Sequence, residues 1–152
     1  MLGKVSRAAD ERGFTLLEVL VSMVVISVGL LAAASMQATA MSGTRSSNDM
    51  SVAIQLAEEM VDRIRVNGGM TPDDYDGIDT SSGCSGSDPA LGDCTQWYSR
   101  LADSGLTGAA GTVSVSTDSP ISKVSTVTVT ITWGAVTSRS VSVTTLVESI
   151  VS

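Results

Sequence analysis

Histidine is absent from all 152 residues. Its absence removes the side chain that most often serves as metal ligand and as general base near neutral pH. No GxSxG elbow, no phosphate-binding glycine loop and no recognisable carboxylate pair stands in its place, so catalysis has no foothold and no cofactor is expected. Basic residues are scarce, with 9 Lys+Arg against 16 Asp+Glu and a formal charge of −7. Direct nucleic-acid binding, which needs Lys and Arg on phosphates, is therefore not expected. Aromatics make up 3% of the chain and there are two cysteines. A second long apolar run is also missing, which leaves room for one membrane span and no more.

The single run is Phe14 to Ala34, FTLLEVLVSMVVISVGLLAAA. Its 21 residues form a helix of roughly 30 Å, the thickness of a bilayer core. The preceding stretch, MLGKVSRAADERG, carries Lys4, Arg7 and Arg12 against Asp10 and Glu11. Positive charge on that side keeps this end in the cytoplasm and sends the rest of the chain across. Within the run sits one acid, Glu18, five residues after Gly13. A carboxylate in hydrocarbon costs roughly 2.5–3.5 kcal/mol on insertion scales, so it marks a functional site and calls for a partner. A secretory signal peptide cut after Ala32-Ala33-Ala34 leaves the acid and the continuing helix unexplained. A plain anchor leaves Glu18 as a liability. Cleavage after Gly13 makes Glu18 the fifth residue of a chain that starts with the free amine of Phe14.

Gly13-Phe14-Thr15-Leu16-Leu17-Glu18 closely resembles the class III signal of type IV prepilins and the related pseudopilins. The resemblance implies a cut between Gly13 and Phe14 by a prepilin peptidase and N-methylation of Phe14. It implies that the apolar helix holds the subunit among inner-membrane lipids until an assembly platform extracts it into a filament. There the Phe14–Ala34 helices pack in a dry core, where charge must be paired. Glu18 then meets the amine of Phe14. Without residues 1–13, which hold three basic and two acidic residues, the formal charge is −8.

Past Ala34 the apolar pattern becomes one-sided. Met50, Ala53, Ile54, Ala57, Met60, Val61 and Ile64 follow helical spacing, and Asn67-Gly68-Gly69 is a stop signal. One helix, or two nearly continuous halves, is expected from about Phe14 to about Val66, with Gly29 and Ser42-Gly43-Thr44 as flex points. Near the other end, Thr112–Thr117, Lys123–Trp133 and Ser138–Val147 alternate β-branched and polar residues as strands do. Gly134-Ala135-Val136-Thr137 is short enough to make the last two an antiparallel hairpin. An apolar sheet face over the helix stripe gives an α+β domain with one core, and the resemblance makes it the pilin-like fold: a long N-terminal helix on a small antiparallel sheet of about three or four strands. The expected divisions are 1–13 leader, 14–34 membrane or filament-core helix, 35–67 amphipathic continuation, 68–111 variable loops and 112–152 sheet.

Cys84 and Cys94 bracket nine residues of loop composition. Outside the inner membrane such a pair is expected to be a disulfide, contributing about 2–3 kcal/mol in the chain-entropy model. A metal pair or a redox pair lacks companion ligands or CxxC spacing. Cys94–Ala102 is expected to form a short helix burying Trp97 and Leu101. Asp73, Asp74, Asp76 and Asp79 invite a calcium hypothesis, with Asp74, Asp76 and Asp79 as its candidates, although no bidentate glutamate completes an EF-hand.

Along its length the chain resembles minor pilins of the PilV type, the type IV pilus modification proteins. The matching stretches are GFTLLEVLVSMVVISVGLL, LAEEMVDRIRVN, the cysteine pair, the Trp-containing segment after it, and VTITWG. This implies a minor pilin that primes pilus assembly with other minor and major pilins and travels to the cell-surface fibre, with roles in motility and adhesion. Two alternatives remain open. One is a minor pseudopilin of type II secretion. The other is a membrane-anchored binding domain that never joins a filament.

Overall fold

The computed structural model describes residues 14–67 and 71–148. The chain divides into two units, Met1–Thr44 and Arg45–Ser152. Helix α1 (Leu16–Asn67) contributes to both. In the first unit every described residue is exposed, including the whole apolar run. Ser22 and Ser27 donate their hydroxyls to the carbonyls of Glu18 and Met23, each at 2.7 Å. No polar group of those side chains is left over, as a helix in an apolar medium requires.

The second unit holds the core. After α1 come a 3-10 turn (Pro72–Tyr75), helix α2 (Ala90–Asp103) and strands β1 (Ala110–Ser116), β2 (Val124–Trp133) and β3 (Arg139–Glu148). The strands form one antiparallel sheet in the order β1-β2-β3. With the α1 segment packed on this sheet, the arrangement is α+β and pilin-like. Alternation does the sorting. Val127, Val129, Ile131 and Trp133 of β2 are buried, while Thr128 and Thr130 point outward and bond across the strand to Thr144 and Ser142 at 3.1 and 2.8 Å. The outer edge of β1 is closed by the segment after the 3-10 turn. Val113 N–H donates to the Ile78 carbonyl at 2.9 Å, Thr80 N–H to Gly111 at 3.0 Å, and Asp79 bridges Thr112.

From α1 the core takes Ala53, Leu56, Ala57, Met60, Val61 and Ile64. The stripe read from sequence is therefore shifted: Leu56 belongs to it, and Met50 is 42% exposed. Each fully buried apolar side chain contributes roughly 1.5–3 kcal/mol. Helix α2 begins at Ala90, four residues ahead of the expected start at Cys94. Pro89 fits the helix entrance, where no N–H is needed, and Asp88 accepts from Gly92 N–H at 3.2 Å. Trp97 is wholly buried and donates its indole N–H to the Leu56 carbonyl at 2.9 Å, tying α2 to α1. Gly111 lies flat beneath that ring, where any Cβ would overlap the indole. Gly68 and Gly69, the expected stop, lie outside the described residues.

Candidate functional site

The amino-terminal segment is built by a helix start. Thr15 stands just ahead of α1, and Glu18 N–H donates to its carbonyl at 3.0 Å and to its hydroxyl at 3.3 Å. Thr-x-x-Glu is a capping box, in which the glutamate normally reaches back to the cap. Here only half of it forms. Among the described residues, nothing bonds the Glu18 carboxylate. The acid lies in the first turn, where the helix dipole favours negative charge by about 0.3–1 kcal/mol, far less than its cost in hydrocarbon. Phe14, four residues before Glu18, is 82% exposed. Gly13 and the rest of the leader lie outside the described residues.

The second polar centre is Asp93, buried on the first turn of α2. Its Oδ2 accepts Tyr75 Oη at 2.6 Å and Asn67 Nδ2 at 2.9 Å, and its Oδ1 accepts Arg63 Nη1 at 3.3 Å. Arg63 continues to Glu59 at 2.8 Å and Gln96 at 2.9 Å, and Arg100 reaches Glu59 at 2.6 Å. A groove of about 720 Å³ runs over this network between α1 and α2. With three donors on one carboxylate, the acid is a structural joint of α1, the 3-10 turn and α2. Three of its roughly four acceptor positions are taken by side chains of α1 and the 3-10 turn.

Tyr75 carries the pH signature of this joint. Burial, then its bond to Asp93 and the charge there, push the phenol well above its ordinary value. In the unfolded chain it ionises near pH ~10, while the folded chain holds the proton, so the unfolded state gains as pH rises. Wild-type stability should thus be full below pH ~10 and fall above it. Tyr75→Phe should be the less stable protein at pH 8, and the gap should narrow as pH climbs past ~10. Urea unfolding of both proteins across that range checks this.

The candidate acids of the 73–79 turn are engaged in local hydrogen bonds. Asp74 accepts from the Thr71 hydroxyl at 2.6 Å, Asp76 from Val115 N–H at 2.8 Å, and Asp79 from Ser81 N–H and hydroxyl at 2.8 and 2.7 Å. Those serine bonds hold the Asp79 carboxyl below the usual range. Among the described residues no set of three His, Cys, Asp or Glu side chains is gathered as metal ligands. Of the calcium candidates Asp74, Asp76 and Asp79, each carboxylate accepts a bond from a local turn or from the edge of β1. Cys84 and Cys94 form a disulfide with a Cα separation of 5.7 Å, fastening the loop to the interior of α2.

Two polar residues of consequence escaped the sequence reading. Thr15 had a usable signal in its Thr-x-x-Glu spacing. Asp93 had none, because an acid in LGDC looks solvated. The alternation of β2 places Trp133 on the buried face, but gives no sign that its indole N–H lacks an acceptor.

The chain thus presents an exposed apolar helix with one acid in its first turn, followed by a small α+β domain. Residues 9–34 match the prokaryotic N-terminal methylation motif, which is typical of type IV pilins and pseudopilins. The match spans Gly13, Phe14 and Glu18 and ends at Ala34. It implies processing by a prepilin peptidase and assembly with other pilins, and proteins of this type are typically structural and not enzymatic. The apolar helix and the motif together fit membrane anchoring. No curated protein and no solved structure matches the chain.

Proposed function

We propose that this chain is a minor pilin of a type IV pilus, of the PilV type, which helps prime fibre assembly. Prepilin peptidase removes residues 1–13, and Phe14 becomes the N-methylated first residue. The subunit waits in the inner membrane with its domain in the periplasm, then joins other minor and major pilins in the fibre on the cell surface. In this reading the divisions 14–34, 35–67, 68–111 and 112–152 serve as anchor, domain helix, subunit-specific surface and sheet.

The observation that carries the reading is the open Glu18 carboxylate beside Phe14 on a fully exposed apolar helix. In a low-dielectric core an unpaired carboxylate is expensive, and a new amine at Phe14 is the charge that matches it. The same motif serves pseudopilins of type II secretion, and the genes flanking this one separate the two assignments.

Mass spectrometry of the protein from a strain with an active prepilin peptidase tests this. The expected mature chain starts at Phe14 and carries one added methyl group. A start at Ser35, or an intact leader on assembled protein, refutes it.

A further inference from the structure

Trp133 ends β2 and lies opposite Arg139, which opens β3. These two residues, with Ser46, Ser47 and Met50 of α1 and Ser140, line a groove of about 580 Å³. That volume lies within the range of roughly 300–1,000 Å³ usual for ligand-binding clefts. Two features of the groove are unusual for a resting surface. Trp133 is 95% buried, its Nε1–H has no acceptor, and it is the sole buried side-chain N or O atom without a partner among the described residues. A buried donor left unmade costs about 1–3 kcal/mol. Arg139, in a chain of formal charge −7, has no carboxylate partner among the described residues, and its guanidinium bonds the Ser46 hydroxyl at 2.6 Å.

The chemistry of an occupant follows from these groups. The indole and the guanidinium only donate. The Met50 side chain and the Trp133 ring supply apolar walls. A compact acceptor that is negative, planar and carried on a short apolar stem suits this set, and Arg pairs with carboxylates in that forked geometry. We propose that the groove receives a carboxylate side chain of a neighbouring subunit in the assembly. This rests on the filament reading above. Charge complementarity argues for it: the chain is rich in acids and poor in bases, so an Arg bonded, among the described residues, only to a neutral hydroxyl, paired across the hairpin with a Trp whose N–H is orphaned, is suited to a neighbour's acid.

The test uses the two indoles as paired reporters. Full-length ¹⁵N-labelled protein in detergent micelles shows one indole resonance for Trp97, bonded to Leu56, and one for Trp133. Adding butyrate should shift the Trp133 resonance in a saturable way and leave Trp97 in place. Arg139→Ala should weaken the response at least tenfold, and Arg139→Lys, which keeps the charge and loses the fork, should fall between. An unmoved Trp97 resonance certifies that each variant is folded. Inorganic phosphate should act at least tenfold more weakly than butyrate. A Trp133 resonance that ignores butyrate, a response that survives Arg139→Ala, or an equal response to phosphate, as a lipid headgroup site would give, overturns the proposal. In cells, Arg139→Glu should leave the start at Phe14 intact and cut incorporation into fibres at least tenfold. Normal incorporation with a correct amino terminus overturns the groove assignment alone. A wrong amino terminus in the wild type overturns the pilin reading itself.

Discussion

Replacing Glu18 with alanine is expected to leave the subunit inserted in the membrane and trimmed at Phe14, yet nearly absent from fibres. The acid sits on the first turn of α1 with its carboxylate open. In a packed apolar core, an amine at Phe14 without its counter-charge is a buried, unpaired ion. Removing one partner of such a pair costs about 3–5 kcal/mol, which corresponds to a loss on the order of a hundredfold or more in association. The local contribution of Glu18 to its own helix is smaller, roughly 0.3–1 kcal/mol. Glu18→Gln separates the two effects, since glutamine suits the capping-box position as well as glutamate does but carries no charge. It should assemble nearly as poorly as Glu18→Ala. Immunoblots of sheared fibres against membrane pools read the ratio, and normal fibre incorporation of Glu18→Gln would refute charge pairing.

The second large effect is expected at Asp93. Alanine there strands Tyr75 Oη, Asn67 Nδ2 and one arm of Arg63, all of which point at a buried carboxylate. Breaking a buried pair by deleting one partner costs about 3–5 kcal/mol, and for a domain of this size the melting temperature should drop by on the order of 10–20 °C. Because α2 also bears the disulfide through Cys94, the loop would remain tethered while the helix loosens. Thermal unfolding followed by near-ultraviolet circular dichroism reports this through Trp97, which packs at the centre. A drop of only a degree or two would mean that the network is surface decoration. Arg65→Ala makes a suitable control, since its bonds to Asp62 and Thr145 are exposed, and such pairs contribute about 0–1 kcal/mol.

What the chain announces and what it hides divide along physical lines. The anchor is legible because lipid imposes a length and forbids charge, so one acid in 21 residues stands out. The strands are legible because a half-buried sheet forces period-two alternation, and Val127 through Trp133 obey it. The phase of the α1 stripe is less so. A helix face is wide enough to admit either Met50 or Leu56, and α2, whose Trp97 bonds the Leu56 carbonyl, is not foreseeable from the stripe itself. The start of α2 is concealed by Ser, Asp, Pro and Gly, which favour turns but also suit a helix entrance. Asp93 is concealed most deeply, for its three donors come from positions 63, 67 and 75, and no local pattern predicts their meeting. Trp133 and Arg139 are six residues apart in sequence, yet their pairing across the hairpin appears only with the register.

Four hydroxyls of α1 close on the backbone of their own helix, Ser22 and Ser27 within the apolar run and Ser35 and Thr39 just past it. Such a rod is solvent-indifferent. It can leave fatty-acid tails for a sheath of sister helices without rewiring a single one of those groups, so the toll for changing surroundings collapses onto one carboxylate near its tip. On the proposed pilin reading, extraction from the bilayer is then a one-ion problem.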